Sequence, residues 1–189
     1  MHKFAEKCKK TMKNRKLLNI ELGRVTAEQY KELPDSGVCV VLDNIRSAHN
    51  VGSVFRSADS FKVDKIWLCG ICATPPSAEI HKSALGAEFS VEWEHSPSTM
   101  DVIGRLKDEG YTILSVEQAE DSISLDKFIP EKGKKYALVF GNEVEGVQQE
   151  VVSSSDGVLE IPQYGTKHSL NISVTAGIVL WHFRLTAGI

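Results

Sequence analysis

The chain has 189 residues, of which 42% are hydrophobic and 25% charged, with a formal net charge of −3. A chain of this length buries enough apolar surface to fold as one domain without disulfide or metal staples, and its composition excludes disordered and fibrous classes. The start, MHKFAEKCKK, is charged where a secretory signal is apolar, and the run AGIVLWHF near the end is far shorter than the ~18 residues of a membrane span, so a cytoplasmic protein is expected.

Residues 1–24 hold eight Lys or Arg against two Glu, a net +6 on a remainder of −9. A basic arm on an acidic body points to local contact with nucleic-acid phosphates, through Lys3, Lys7, Lys9, Lys10, Lys13, Arg15 and Lys16. The alternative is an ordinary solvated helix face. Residues 26–33 place Thr26 and Gln29 at capping-box spacing before Pro34 and read as a short helix. Residues 1–35 are thus a basic helical N-terminal extension, and 36–189 form the main domain.

The apolar run at 38–43 reads as a buried strand. A helix follows near Asn50, with Val51, Val54, Phe55 and Ala58 on one face and Arg56 off it. Further strands are expected at 65–70, 90–95, 111–117, 136–141 and 157–162. Helices are expected within 75–86, at 98–110 with Ser98 as cap and Gly110 as stop, and at 147–154. This alternation predicts an α/β fold, a mostly parallel six-stranded sheet with helices on both faces. The last helix spans about 170–185. Leu170, Val174, Ile178, Trp181 and Leu185 form one stripe, while Ile172, Val179, Leu180 and Phe183 occupy other faces. A helix apolar nearly all round is covered on more than one side, by a second subunit or wholly by its own domain.

Cys69 and Cys72 make a C-x-x-C without a second pair or ligating histidines, and packed thiols at a strand end are the expectation; no metal site is expected. A parallel sheet binds ligands at the carboxyl ends of its strands. No G-x-G-x-x-G is present, and GNEVEG at 141–146 is followed by Val147 and Gln148 where a phosphate-binding loop needs Lys and Ser or Thr. Two strand-end loops rich in ligand-gripping groups remain, at Gly141–Glu143 and in QYGTKHSLN.

HNVGSVFRSAD, VFGNEVEG and LEIPQYGTKHSLNISVTAG, in this order, resemble the three motifs of the SpoU, or TrmH-like, RNA 2′-O-ribose methyltransferases of the SPOUT superfamily. The resemblance covers about residues 38–185. It implies a C-terminal trefoil knot, a homodimer with the active site at the subunit interface, and S-adenosylmethionine as methyl donor. It further implies Asn50, Arg56, Glu143, Ser169 and Asn171 as catalytic positions, with Glu143 holding Arg56 by an ion pair. Donor contacts would come from Val139, Phe140, Gly141, Asn142, Gly146, Ile161, Pro162, Ser169 and Leu170, with Val139, Phe140 and Pro162 as an adenine slot. Arg56 is either the base that takes the hydroxyl proton or a clamp on an RNA phosphate, and a guanidinium pKa above ~12 weighs against the first role. The short arm favours transfer RNA over ribosomal RNA. A catalytically silent RNA-binding protein and a methyltransferase with a non-RNA substrate are the alternatives.

Overall fold

The computed structural model describes residues 14–186, so Lys3, Lys7, Lys9, Lys10 and Lys13 of the basic arm lie outside the described residues. Arg15 turns back onto Glu21, with 3.0 Å between guanidinium and carboxylate. Helix α1 (Ala27–Glu32) starts with the expected reciprocal cap, the Thr26 hydroxyl accepting from the Gln29 amide and the Gln29 side chain from the Thr26 amide. Its Tyr30 ring is buried and donates its hydroxyl to the Val63 carbonyl at 3.2 Å, which docks α1 on the main domain.

From there strands and helices alternate: β1 (Val38–Asp43), α2 (Ala48–Phe61), β2 (Lys65–Cys69), α3 (Ala78–Ala84), α4 (Ala87–Ser90), β3 (Glu92–Ser96), α5 (Thr99–Asp108) and β4 (Tyr111–Val116). The chain continues through β5 (Ile123–Ser124), β6 (Lys135–Phe140), α6 (Gln149–Ser154), β7 (Gly157–Glu160) and α7 (Ile172–Thr186). The sheet has seven strands in the order β3-β2-β1-β6-β4-β7-β5, and every pairing is parallel. Sequence periodicity gives six of them. The seventh, β5, is a two-residue edge pairing with Leu159 and Glu160, too short to carry a pattern.

Alternation along each strand divides the core between two faces. Val38, Val40 and Leu42 of β1 pack with Val54 and Phe55 of α2 and Val179 and Phe183 of α7, whereas Cys39 and Val41 pack with Ile103 and Leu106 of α5. Helix α7 is covered on one side only. Ile172, Ala176, Val179, Leu180 and Phe183 are buried, while Val174, Ile178, Trp181 and Leu185 remain exposed, Trp181 at 52%. Of the two alternatives, cover wholly by its own domain is therefore not what the chain shows. Among the described residues no helix is long and apolar enough to cross a membrane.

Helix α2 carries Arg56 and is fixed at close quarters. Its N-cap is Ser47, whose hydroxyl accepts from the Asn50 amide at 3.2 Å, and it ends at Lys62 in the left-handed region (φ 55°). Val51, Val54, Phe55 and Ala58 are buried and Arg56 is exposed, as the spacing predicts. Gly52 allows α3 to pack against the helix backbone: a Cβ there would fall 2.1 Å from the Ser83 hydroxyl and 2.4 Å from the Ile80 carbonyl oxygen. Gly52→Ala should therefore destabilise the protein by about 1–3 kcal/mol through overpacking. Urea unfolding measures this directly, and an unchanged midpoint would show that α3 yields without cost.

Candidate functional site

Strand β4 lies between β6 and β7, and the carboxyl ends of these three neighbours open into a cleft of about 530 Å³. That volume is in the ordinary range for a small-molecule site. Of the positions expected to contact a donor, Phe140, Gly141, Asn142, Gly146, Ile161, Ser169 and Leu170 line the cleft. Val139 and Pro162 do not. Val139 points to the opposite sheet face, where it is buried with the α5 and α6 side chains, because successive strand residues alternate. Pro162 is exposed outside the cleft. Val116, Glu117 and Gln118 line it instead.

The loop after β6 is folded back on itself. Asn142 and Gly146 exchange backbone hydrogen bonds of 2.9 and 3.0 Å, and the Asn142 carboxamide oxygen accepts from the amides of Val144 and Glu145. Gly141 and Gly146 are required by crowding: a Cβ on Gly141 would meet the Val147 nitrogen at 2.0 Å, and one on Gly146 (φ +71°) would meet Glu117 Oε2 at 2.2 Å. The Glu117 carboxylate accepts from the Val147 amide at 3.0 Å and so ties this loop to the end of β4. A second tie is Asp43, fully buried at the end of β1. It accepts from Thr99 Oγ1 (2.6 Å), Gln148 Nε2 (2.6 Å), the Gln148 amide (2.9 Å) and Asn44 Nδ2 (3.0 Å). A buried carboxylate persists only with its acceptor sites filled, and these four donors fill them.

Glu143, Asn50 and Asn171 join the three motif segments. The Glu143 carboxylate accepts from Asn50 Nδ2 at 3.0 Å and from the backbone amides of Arg46 (3.1 Å) and Ser47 (3.2 Å), just ahead of α2. Asn50, 8% exposed, accepts through Oδ1 from Asn171 Nδ2 at 3.2 Å. Asn171 Oδ1 accepts from the Ser173 amide at 2.9 Å, so Asn171 caps the start of α7. Burial pushes the Glu143 carboxyl up, but hydrogen bonds from Asn50 and the nearby backbone amides outweigh it and hold the group below the usual carboxylate range.

Arg56 stands apart from this network. It lies on α2 six residues beyond Asn50, about 9 Å along the axis, and shares a surface groove with Ser57, Ser173, Val174 and Gly177. Among the described residues of the single chain no ion pair joins it to Glu143, whose carboxylate accepts from Asn50 and the head of α2. The C-x-x-C thiols are packed, as expected. Cys72 donates to the Leu42 carbonyl and accepts from the Ile45 amide, and burial pushes its pKa up to about 11. Among the described residues no group of three or more His, Cys, Asp or Glu is placed to hold a metal ion.

The sequence profile of the SpoU rRNA Methylase family matches residues 37–181. The chain belongs to the SpoU family. It is 28% identical to the tRNA (guanosine(18)-2′-O)-methyltransferase of Thermus thermophilus, over 88% of this chain and 84% of that protein. It is also 28% identical to the 23S rRNA (guanosine-2′-O-)-methyltransferase of Neisseria meningitidis, over 82% of this chain and 60% of that protein. The AdoMet-bound rRNA methyltransferase of Sinorhizobium meliloti superposes with a TM-score of 0.75 at 26% identity, over 82% of this chain and 59% of that one. The chain thus spans well under two thirds of two of these relatives.

In this SpoU chain, removing the Glu143 carboxylate takes away the acceptor for three hydrogen bonds. Glu143→Ala should lower unfolding stability by about 1–2 kcal/mol near neutral pH, the partial exposure of the group keeping the loss modest. A carboxyl whose folded pKa is depressed contributes above its unfolded value and stops contributing as pH falls through the folded one. The gap between wild type and variant should accordingly narrow as pH falls below the ordinary carboxylate range. Urea unfolding at several pH values checks both, and a pH-independent gap would remove the carboxylate from this role.

Proposed function

We propose that this chain is an S-adenosylmethionine-dependent methyltransferase that methylates a ribose 2′-hydroxyl in RNA, with transfer RNA favoured over ribosomal RNA. The observation that carries the reading is the hydrogen-bonded series Glu143–Asn50–Asn171, which joins all three motif segments and ties the first to the cleft that the other two line. The more extensive match to the Thermus tRNA enzyme supports the substrate class.

The cleft suits the donor. Phe140, Ile161, Leu170 and Ile172 offer an apolar bed for a nucleoside, loop backbone offers hydrogen bonds, and Glu117, Glu145 and Glu160 give the rim negative charge. S-adenosylmethionine supplies a methyl group on a cationic sulfur. The protein then has to hold the hydroxyl in line with that methyl and manage one proton. Asn50 and Asn171, locked by their shared bond, orient the ribose edge, and Ser169 completes the polar wall. Arg56 keeps its proton and clamps the adjoining phosphate with its planar fork, leaving the phosphate or a water to accept the hydroxyl proton.

Arg56 does not line the cleft of its own chain. The exposed Val174, Ile178, Trp181 and Leu185 begin beside its groove, and Trp181 extends them to Phe61, ring centroids 5.8 Å apart. Pairing of two copies through this face buries the apolar side chains and carries Arg56 to the partner subunit's cleft. The passage of residues 161–171 along the cleft, with the Gln118 side chain donating to the His168 carbonyl at 2.9 Å, supports the trefoil knot implied by the resemblance.

Labelled methyl transfer to total tRNA and, separately, rRNA, with nuclease digestion of the product, should yield a 2′-O-methylated nucleotide in the tRNA pool. Arg56→Ala should lower kcat by about 100-fold or more. Mixed dimers of Arg56→Ala and Asn171→Ala should recover activity that neither variant has alone, whereas no recovery would place Arg56 in its own chain's site. Charge reversal of Lys9, Lys10 and Lys13 should weaken RNA binding and flatten its salt dependence, and an unchanged salt slope would remove the arm from the interface.

A further inference from the structure

The loop at 162–169 borders the cleft yet carries a side chain the chemistry above does not use. Tyr164 is 97% exposed, more than any other large apolar or aromatic side chain among the described residues. Its neighbours Gln163, His168 and Ser169 line the cleft. The loop is held at both ends, by Ile161 packed against the core and by the His168 carbonyl accepting from Gln118 at 2.9 Å, so the ring is presented from a fixed base. The charge along its own segment is one-sided, whereas Glu117, Glu145 and Glu160 line the adjoining cleft. From Ile161 to Ile189 there is no acidic residue, in a chain with 25 of them, while Lys167 and Arg184 are cationic.

We propose that Tyr164 is a stacking platform for an unpaired base of the RNA substrate, with Lys167 holding the neighbouring phosphate; this rests on the RNA-methylation reading above. A 2′-hydroxyl inside a regular helix is constrained by its stacked neighbours, whereas a splayed nucleotide can turn its ribose into a cleft, and its freed base then needs a flat surface. A fully exposed tyrosine supplies that surface with little side-chain entropy to lose, since only two torsions have to be fixed. Lys167, three residues on, and a loop segment without carboxylates of its own let the phosphate backbone approach. Stacking of this kind tolerates any base, so Tyr164 contributes affinity and positioning, and base identity is read elsewhere.

The test is filter binding of total tRNA and total rRNA, in separate arms and over a range of salt, to wild type, Tyr164→Ala, Tyr164→Phe, Tyr164→Trp and Lys167→Ala. Calorimetric titration with S-adenosylmethionine and sedimentation of each free protein accompany it. Tyr164→Ala should weaken RNA binding about tenfold, with donor affinity kept within about twofold. Phe and Trp should restore RNA affinity, because they keep the ring. Lys167→Ala should lower the salt slope by about one. Three results would overturn the platform: Tyr164→Ala binding RNA as wild type does, Tyr164→Phe failing as badly as Ala, or Tyr164→Ala changing the sedimentation of the free protein, which makes the ring a subunit contact. Wild type that binds donor but neither RNA pool overturns the methylation reading itself, a different outcome from loss of the platform alone.

Discussion

The Glu143 carboxylate is the constraint on which the site depends. It sits at the positive end of α2, where the amides of Arg46 and Ser47 lack helical partners, and a carboxylate there is favoured by both hydrogen bonding and the helix dipole. Through Asn50 the same group reaches Asn171, so the entry of α2, the loop after β6 and the entry of α7 are held as one unit. Charge-assisted hydrogen bonds in series polarise one another, and the geometry of the series is fixed more tightly than that of any one bond alone. Asp43 plays the complementary part beneath it, pinning the far end of the same loop to β1. The loop is therefore fastened on both sides of its tip.

Charge is sorted around this unit. The cleft rim carries Glu117, Glu145 and Glu160, and the segment that crosses it afterwards carries no acid at all. An acidic cleft favours a cationic small molecule and repels a polyanion, while the acid-free segment lacks that repulsion. Two surfaces of different charge character thus adjoin at one boundary.

Much of this was legible in the sequence because the physics was local. The capping box at Thr26 and Gln29, the apolar stripe of α2 and the strand runs all formed where periodicity places them. What stayed hidden depended on strand order. Glu117 reaches the cleft because β4 lies between β6 and β7, and nothing in the residues around Glu117 announces that neighbour. Val139 fell out of the site for a related reason: a run buried on both faces gives no sign of which alternate residues face a ligand. The Glu143–Arg56 pairing does not form within one chain, because of distance along a helix. The sequence places a carboxylate and a guanidinium in two motifs, but α2 carries Arg56 away from the end that Glu143 caps.

The strand order also bears on how the protein is made. β6 enters between β1 and β4, and β7 between β4 and β5, so each late strand inserts between two that leave the ribosome before it. Until residues 135–140 are synthesised, β1 and β4 each have an unpaired apolar edge, the kind of template that recruits other chains. This half of the sheet is completed only by strands made late, and such non-local pairing is slow. The first three strands can pair as they emerge, but β1 and β4 must stay apart until β6 is made, so the nascent chain carries open strand edges that chaperones can cover.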